Sequence, residues 1–219
     1  MQVNSAFGRA FSVSPHIGNY SYISALKGSQ QIYLYMSIVS NDNFFIKIVS
    51  KNEVKDCKNQ TILLTMVEFT RSLKQIPFTP LVDFLEDKKN YYLVFPSPNP
   101  TTSISFEELI SRLKNAKNNQ DASFNFNYDY VVFQIIEALE FLGHYDQDLL
   151  FTPTSIYINP TTFEFTHIYL NQLDSHFSFD DFQMITNFTP PEFLSGNPTS
   201  KSQKSINSWL LGIFLYYIH

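Results

Sequence analysis

The segment EALEFLGHYDQDLLFTPTSIYI, from Glu137 to Ile158, has the most informative pattern in the chain. Apolar residues recur at helical spacing in its first part, and Gly143 is placed to end that helix. A polar loop follows, and SIYI then predicts a short strand. The turn Asn159-Pro160-Thr161-Thr162 leads into FEFTHIYL, a second predicted strand from Phe163 to Leu170. The order is therefore helix, loop and two strands.

The residues upstream predict two hairpins with a helix between them. IYLYMSIV, which begins at Ile32, and FFIKIV, which begins at Phe44, are strand-like and are joined by the turn Asn41-Asp42-Asn43. Residues 53 to 75 have apolar side chains near helical spacing. LVDFLED and YYLVF then predict the second hairpin, with Lys88-Lys89-Asn90 at its turn.

A proline-rich connection separates this part from a more helical one. PSPNPTTS, from Pro96 to Ser103, has three prolines in five residues, which excludes a helix or a central strand and predicts an extended hinge. SFEELISRLKNA begins with a capping box, Ser105 followed by Glu108, and predicts a helix to Ala116. YDYVVFQIIEALEFLG predicts a second helix that ends at Gly143.

The composition excludes several classes of function. Of the 219 residues, 44% are hydrophobic and 16% are charged, which is typical of a chain with a real core. The net charge of −5 gives no basic surface for nucleic acid or for an anionic membrane. WLLGIFLYYI, from Trp209 to Ile218, is too short to span a bilayer and predicts a buried helix. Cys57 is the single cysteine and favours a reducing, cytoplasmic location.

These elements, in this order, resemble a eukaryotic protein kinase domain. FFIKIV is similar to the family's strand that carries the ATP-contacting lysine, here Lys47. PPEFLSGNP is similar to the end of the activation segment, with Pro191-Glu192 on its Pro-Glu pair. INSWLLGIFLYY is similar to the large central helix of the second lobe, with Trp209 and Gly212 in place.

The resemblance implies an α+β, bilobal fold with a small antiparallel-sheet N-lobe and a mainly helical, incomplete C-lobe. It divides the chain into an N-terminal extension (1–19), an N-lobe (20–95), a hinge (96–103) and a partial C-lobe (104–219) that ends in the central helix. The family's later helices have no counterpart, so we expect a domain truncated within the C-lobe.

The same resemblance implies a degenerate ATP site. Gly28 alone matches the glycine-rich loop, and the helix residue that would aim Lys47 falls on Met66, or on Glu68 with a shift. Lys47 can also be read as an ordinary surface lysine on a strand. Three further positions would obstruct the purine, which are Phe45 beside it, the gatekeeper Phe95 and the pocket floor Tyr157. The hinge donor falls on Pro98, which has no N–H.

At the positions that the resemblance assigns to catalysis, this chain lacks the side chains that act as base and metal ligands. With the family motif anchored on Pro153, the base becomes Leu150 and the metal-binding asparagine becomes Ser155. The magnesium-binding aspartate falls on His167, and a neutral imidazole is a poor ligand for Mg²⁺. A gapped register would instead restore Asp148 as the base. We expect no cofactor, no metal and no catalytic residue.

Three functions stay open on these residues. The first is an inactive pseudokinase that serves as a binding or scaffold module. The second is a weak or atypical kinase that uses ATP, Mg²⁺, Lys47 and Asp148. The third is a truncated fragment without a function. Because the last ten residues before His219 leave almost no polar helix face, we also expect a protein partner or self-association through the apolar C-terminal helix.

Overall fold

The computed structural model describes residues 2–3, 11–26, 31–55, 57–118, 126–145, 149–172 and 203–218. Backbone contacts divide the chain into two compact units. The first contains the described residues as far as Leu73 together with Pro80–Ser97. The second contains Lys74–Thr79 and the described residues from Pro98 onward. The chain is mixed α+β, with an antiparallel sheet in the first unit and most of the described helices in the second.

The first unit is built on an antiparallel sheet of six strands in the order β3-β4-β5-β6-β8-β7. A separate pair, β1 and β2, precedes it. The elements are β1 (Gln2–Val3), β2 (Phe11–Ser12), β3 (His16–Ile17), β4 (Tyr20–Ala25), β5 (Ile32–Ser37), β6 (Asn43–Ser50), α1 (Cys57–Ser72), β7 (Asp83–Glu86) and β8 (Asn90–Pro96). Both predicted hairpins and the helix between them are confirmed, and the helix is shorter than its pattern.

Successive side chains of β6 point to opposite faces of the sheet, so they pack into two different hydrophobic clusters. Ile46 joins an aromatic-rich cluster with Tyr33, Tyr35, Tyr92 and Val94 on one face. On the other face a second cluster forms against α1, and its buried members are Val49, Val54, Leu63, Val67, Leu81 and Leu93. The strand is therefore covered on both faces, which is why FFIKIV is almost continuously apolar.

Short polar side chains close the turns of this sheet. The Asp87 carboxylate accepts hydrogen bonds from the N–H groups of Lys89 and Asn90, both at 2.7 Å, and from the Tyr92 hydroxyl at 2.6 Å. Asn41 has a φ of 61° at the turn between β5 and β6, a conformation that asparagine tolerates well. These contacts fix the register of the neighbouring strands.

The second unit contains three helices, short strand pairs and one 3₁₀ turn among its described residues. The elements are β9 (Ile104–Ser105), α2 (Phe106–Asn118), α3 (Tyr128–Leu142), β10 (Leu149–Leu150), the 3₁₀ turn (Pro153–Ser155), β11 (Ile156–Ile158), β12 (Phe165–Ile168), β13 (Asn171–Gln172) and α4 (Gln203–Ile218). β9, β11 and β12 form one sheet in the order β12-β11-β9, and β10 pairs with β13. The predicted helices and the two strands after the loop are confirmed.

Two local details differ from the sequence predictions. Pro96 belongs to strand β8, opposite Phe44, although the prolines were predicted to exclude a central strand. The rest of the hinge is not extended throughout, because the N–H groups of Thr102 and Ser103 bond back to the Asn99 carbonyl. Gly143 ends α3 as predicted, but in a right-handed conformation with φ −61°. A Cβ there would lie 3.1 Å from the Glu140 carbonyl oxygen, so close approach rather than backbone handedness favours glycine.

Three fully buried phenylalanines meet in the second unit. Phe214 of α4 contacts Phe106 at the start of α2, with ring centroids 5.9 Å apart, and Phe151 after β10, at 5.4 Å. Phe106 also contacts Phe165 of β12 at 6.1 Å. Phe106, Phe151 and Phe214 have no solvent exposure. One aromatic centre therefore joins two helices, a loop and a strand.

The C-terminal helix is not buried on every side, in contrast to the expectation from its composition. One stripe of α4 is buried and consists of Ile206, Leu210, Phe214 and Ile218. On the rest of the surface Trp209 is 38% exposed and Tyr216 is 83% exposed. An added Cβ at Gly212 would meet nothing within 4 Å. The helix therefore has one buried face and one exposed face, even though its sequence is nearly all apolar.

We predict that Phe214→Ala lowers the free energy of unfolding by about 3–5 kcal/mol, because it empties the aromatic centre. Tyr216→Ala on the same helix is the matched control and should change it by less than about 0.5 kcal/mol. Urea unfolding followed by circular dichroism measures both. Equal losses for the two variants would contradict the burial pattern of α4.

Candidate functional site

In the first unit, three of the predicted site residues lie on adjacent strands. Lys47 is on β6, as predicted, and is 8% exposed, so it is not an ordinary surface lysine. Phe45 is two residues before it, on the same face of the strand by alternation. Phe45 pairs directly with Phe95 of β8, and Lys47 pairs with Leu93. Gly28 lies outside the described residues.

A buried lysine ammonium group requires a partner for its charge and its N–H donors, since lysine is almost never fully buried unless it is paired. The surroundings of Lys47 are largely apolar. Phe95 packs against the cluster that includes Leu93 and Val49. Met66 of α1 packs against the same cluster, whereas Glu68 is exposed. The helix position that the resemblance assigns to the lysine's acidic partner is therefore occupied by an apolar side chain.

In the second unit, the strand pair β11–β12 brings two predicted positions together. Tyr157 of β11 pairs with His167 of β12 in the antiparallel register. The ring of Tyr169 lies 5.9 Å from that of Tyr157 and 6.1 Å from that of His167, and it is nearly parallel to the imidazole. The place that would hold a metal in the resemblance is thus an aromatic cluster of Tyr157, His167 and Tyr169.

Burial sets the protonation of this aromatic cluster. It raises the pKa of Tyr157 to about 12, and it raises the pKa of Tyr169 further. The same burial lowers the pKa of His167 below its ordinary value, because the charged imidazolium is penalised there. All three groups are consequently neutral at pH 7, and none supplies the negative charge that Mg²⁺ prefers.

Ser155 is held by its own turn. Its hydroxyl accepts a hydrogen bond from the Thr152 N–H at 2.8 Å and donates one to the Thr152 carbonyl at 2.9 Å. The Ser155 N–H also bonds to that carbonyl at 2.9 Å. The hydroxyl therefore closes the 3₁₀ turn after Pro153, where the resemblance would require a metal-binding amide.

The remaining predicted positions fall in several places. Leu150 lies on β10, opposite Asn171 of β13. Pro98 is buried and precedes the Asn99 turn. Asp148 lies outside the described residues. Within the described ranges, no group of three or more His, Cys, Asp or Glu side chains could hold a metal ion. At the two assigned metal positions that the structure describes, the Ser155 hydroxyl and the neutral imidazole of His167 do not fit Mg²⁺, which prefers carboxylate oxygens.

The sequence analysis did not identify Thr79, whose buried hydroxyl lies on the segment that pairs with Ile168, next to His167. The Thr79 N–H bonds to the Ile168 carbonyl at 2.9 Å, and Phe78 forms a parallel bridge with Ile168. The buried Thr79 hydroxyl and the buried Nδ1 of His167 both lack a hydrogen-bond partner among the described residues. No local sequence signal marks Thr79, because its position depends on pairing with a strand about ninety residues later.

Side-chain amides connect the helices to this part of the unit. Gln134 of α3 donates to the Phe163 carbonyl at 2.8 Å and accepts from the Phe165 N–H at 2.7 Å. Asn207 of α4 donates to the Leu139 carbonyl near the end of α3. Asn207 therefore connects α4 to the C-terminal end of α3.

Comparison with known proteins identifies the fold of the chain. No sequence model of a protein family matches the chain, and no curated protein matches it. The chain is similar in structure to the protein kinase Rad53, solved as residues 1–466 in complex with AMP-PNP. The TM-score is 0.63 at 16% sequence identity, over 91% of this chain and 48% of that one. The chain therefore has a kinase-like fold and spans about half the length of that structure.

We predict that stability falls as the pH is lowered below about 6.5, because unfolded His167 takes up a proton before folded His167 does. Above that pH both states are neutral and the effect vanishes. His167→Gln, which cannot titrate, should show a shallower loss between about pH 7 and 5. Urea titrations at several pH values measure the difference, and His144→Gln is the exposed control. Parallel pH profiles for all three proteins would show that His167 is not buried neutral.

Proposed function

We propose that this chain is a catalytically inactive, kinase-like domain, a pseudokinase, which acts as a binding or scaffold module. The observation that carries the proposal is the Ser155 turn. The resemblance assigns the metal-binding amide to this position, and the side chain found there is fully engaged by the Thr152 backbone. The other assigned metal position holds the neutral imidazole of His167.

Loss of the metal removes most of the chemistry of phosphoryl transfer. That reaction depends on positioning and on neutralising the charge of the phosphates, and Mg²⁺ supplies much of both. The described residues supply no carboxylate cluster in its place. Leu150 cannot accept a proton from a substrate hydroxyl. The domain would thus keep the architecture of a kinase while lacking its electrostatic machinery.

The residues that the resemblance assigns to the purine pocket support the same proposal. Phe45 and Phe95 form a cross-strand pair, and Tyr157 of the second unit is half-buried. Pro98 offers no N–H at the hinge, and an unpaired purine acceptor costs about 1–3 kcal/mol, roughly ten- to a hundredfold in affinity.

We place this binding module in the cytoplasm because of its single cysteine, Cys57. No helix of the described part combines the length and apolar character needed to cross a membrane.

We predict no thermal shift on addition of millimolar Mg-ATP. A ligand at about a hundred times its dissociation constant would stabilise the folded state by about 2.7 kcal/mol, which is easily detected. The measurement is differential scanning fluorimetry with Mg²⁺ alone, ATP alone and both together. A saturable shift that requires both would reject the pseudokinase proposal.

A weak kinase that uses Lys47 and Asp148 is the second candidate. The burial of Lys47, at 8% exposure, favours it, because a buried lysine on this strand is what an ATP-contacting residue requires. Under this alternative ATP and Mg²⁺ are cofactors and Asp148 is the base.

We expect no phosphoryl transfer by the parent chain, so that Asp148→Asn changes nothing. The assay is transfer of γ-³²P from ATP to a mixed protein substrate and to the chain itself. Asp42→Asn, an exposed carboxylate in the turn before β6, is the matched control. Activity that is present in the parent, kept in Asp42→Asn and lost in Asp148→Asn would establish the weak kinase instead.

A further inference from the structure

The surface of α3 that faces away from the core is unusual in its composition. At 100° per residue, its exposed side chains occupy an arc of about 120°. This α3 outer face consists of Asp129, Tyr130, Phe133, Ile136, Glu137 and Glu140. Tyr130 is 37% exposed, Phe133 is 54% exposed and Ile136 is 44% exposed.

The core does not need these apolar side chains. The buried residues of α3 lie on the opposite side of the helix, and they are Val131, Ile135, Ala138, Leu139 and Leu142. An amphipathic surface helix normally has polar residues opposite its buried stripe. Three large apolar side chains grouped on one solvent-facing arc are a feature of interaction sites.

The charges on the same arc are all negative. Asp129, Glu137 and Glu140 are exposed, and α3 contains neither lysine nor arginine. The two salt bridges found among the described residues, Lys51–Glu86 and Arg112–Glu108, do not involve them. The face therefore combines an apolar centre with negative charge that no salt bridge within the described residues neutralises.

We propose that the α3 outer face docks a basic amphipathic helix, with apolar side chains against Tyr130, Phe133 and Ile136. Lysine or arginine residues flanking that apolar stripe would meet the three carboxylates. The face runs from Asp129 to Glu140, which is about 17 Å, so the partner helix needs about three turns. This inference rests on the proposed binding role and names the class of partner for it.

Other occupants fit the charge less well. An anionic membrane surface or a nucleic acid would be repelled by the carboxylates. A second copy that used the same face would bring Glu137 and Glu140 against their own equivalents, since a twofold interface pairs identical surfaces. A basic helix is the partner whose charge complements the face.

The test uses a synthetic peptide of about fourteen residues, with leucines at helical spacing and lysines on both sides of them. A matched peptide has glutamate in place of every lysine. Fluorescence anisotropy measures binding of each peptide to the full 219-residue chain at about 0.05 M and 0.3 M salt. We expect the lysine peptide to bind and to weaken at the higher salt, and the glutamate peptide not to bind.

Two variants locate the binding on α3. Phe133→Ser should weaken the lysine peptide about tenfold, and Glu137→Lys combined with Glu140→Lys should weaken it and flatten its salt dependence. Trp209→Ser removes an exposed aromatic residue from α4 and is the matched control, for which no change is expected. Circular dichroism verifies that each variant is folded.

Three results would overturn the inference. They are no binding of the lysine peptide, equal binding of the two peptides, and equal affinity of Phe133→Ser and the parent chain. Concentration-dependent light scattering that disappears in Phe133→Ser without any peptide would identify a second copy as the occupant. None of these outcomes bears on Mg-ATP binding, so the inference can fail while the pseudokinase proposal stands.

Discussion

The contact of Phe214 with Phe106 and Phe151 is the interaction on which the second unit depends. Each ring comes from a different segment, and each is completely buried. Phe106 follows β9 directly, and β9 pairs with β11, so the position of the first ring also positions Tyr157. Phe151 lies one residue before Thr152 and therefore anchors the turn that ends at Ser155. Packing therefore positions the candidate-site residues of the second unit.

Under the proposed function, these contacts account for a kinase-like fold that has no metal-binding side chains at Ser155 and His167. Buried carboxylates at a metal site repel one another and are stabilised by the ion that they bind. A serine that closes its own turn and a cluster of neutral aromatic side chains need no such compensation. The described positions of the second unit that the resemblance assigns to metal ligands therefore carry no repelling charges. The Thr79 hydroxyl and Nδ1 of His167, which lack hydrogen-bond partners among the described residues, are buried polar groups that lower the stability of the folded unit.

The sequence predicted the elements well because their signals are local. Period-two and helical spacing identified the strands and helices, and polar turn residues such as Asn159, whose side chain accepts from the Thr161 and Thr162 N–H groups, marked the turns. The features that the sequence left open or missed depend on distant residues. The burial of Lys47 follows from the strands on both sides of β6, and the exposure of Trp209 follows from which face of α4 meets the core. Hydropathy alone cannot distinguish a buried apolar side chain from an exposed one.

Gln134 restricts α3 in a further way. Its amide spans the Phe163 carbonyl and the Phe165 N–H, so it binds the β11–β12 hairpin at two points. Rotation of α3 about its own axis would break both hydrogen bonds. The helix is therefore fixed in rotational phase, and the side chains on its far side keep one orientation. A surface that is already ordered before a partner arrives loses little conformational entropy on association, and modest contacts on such a surface can yield measurable affinity.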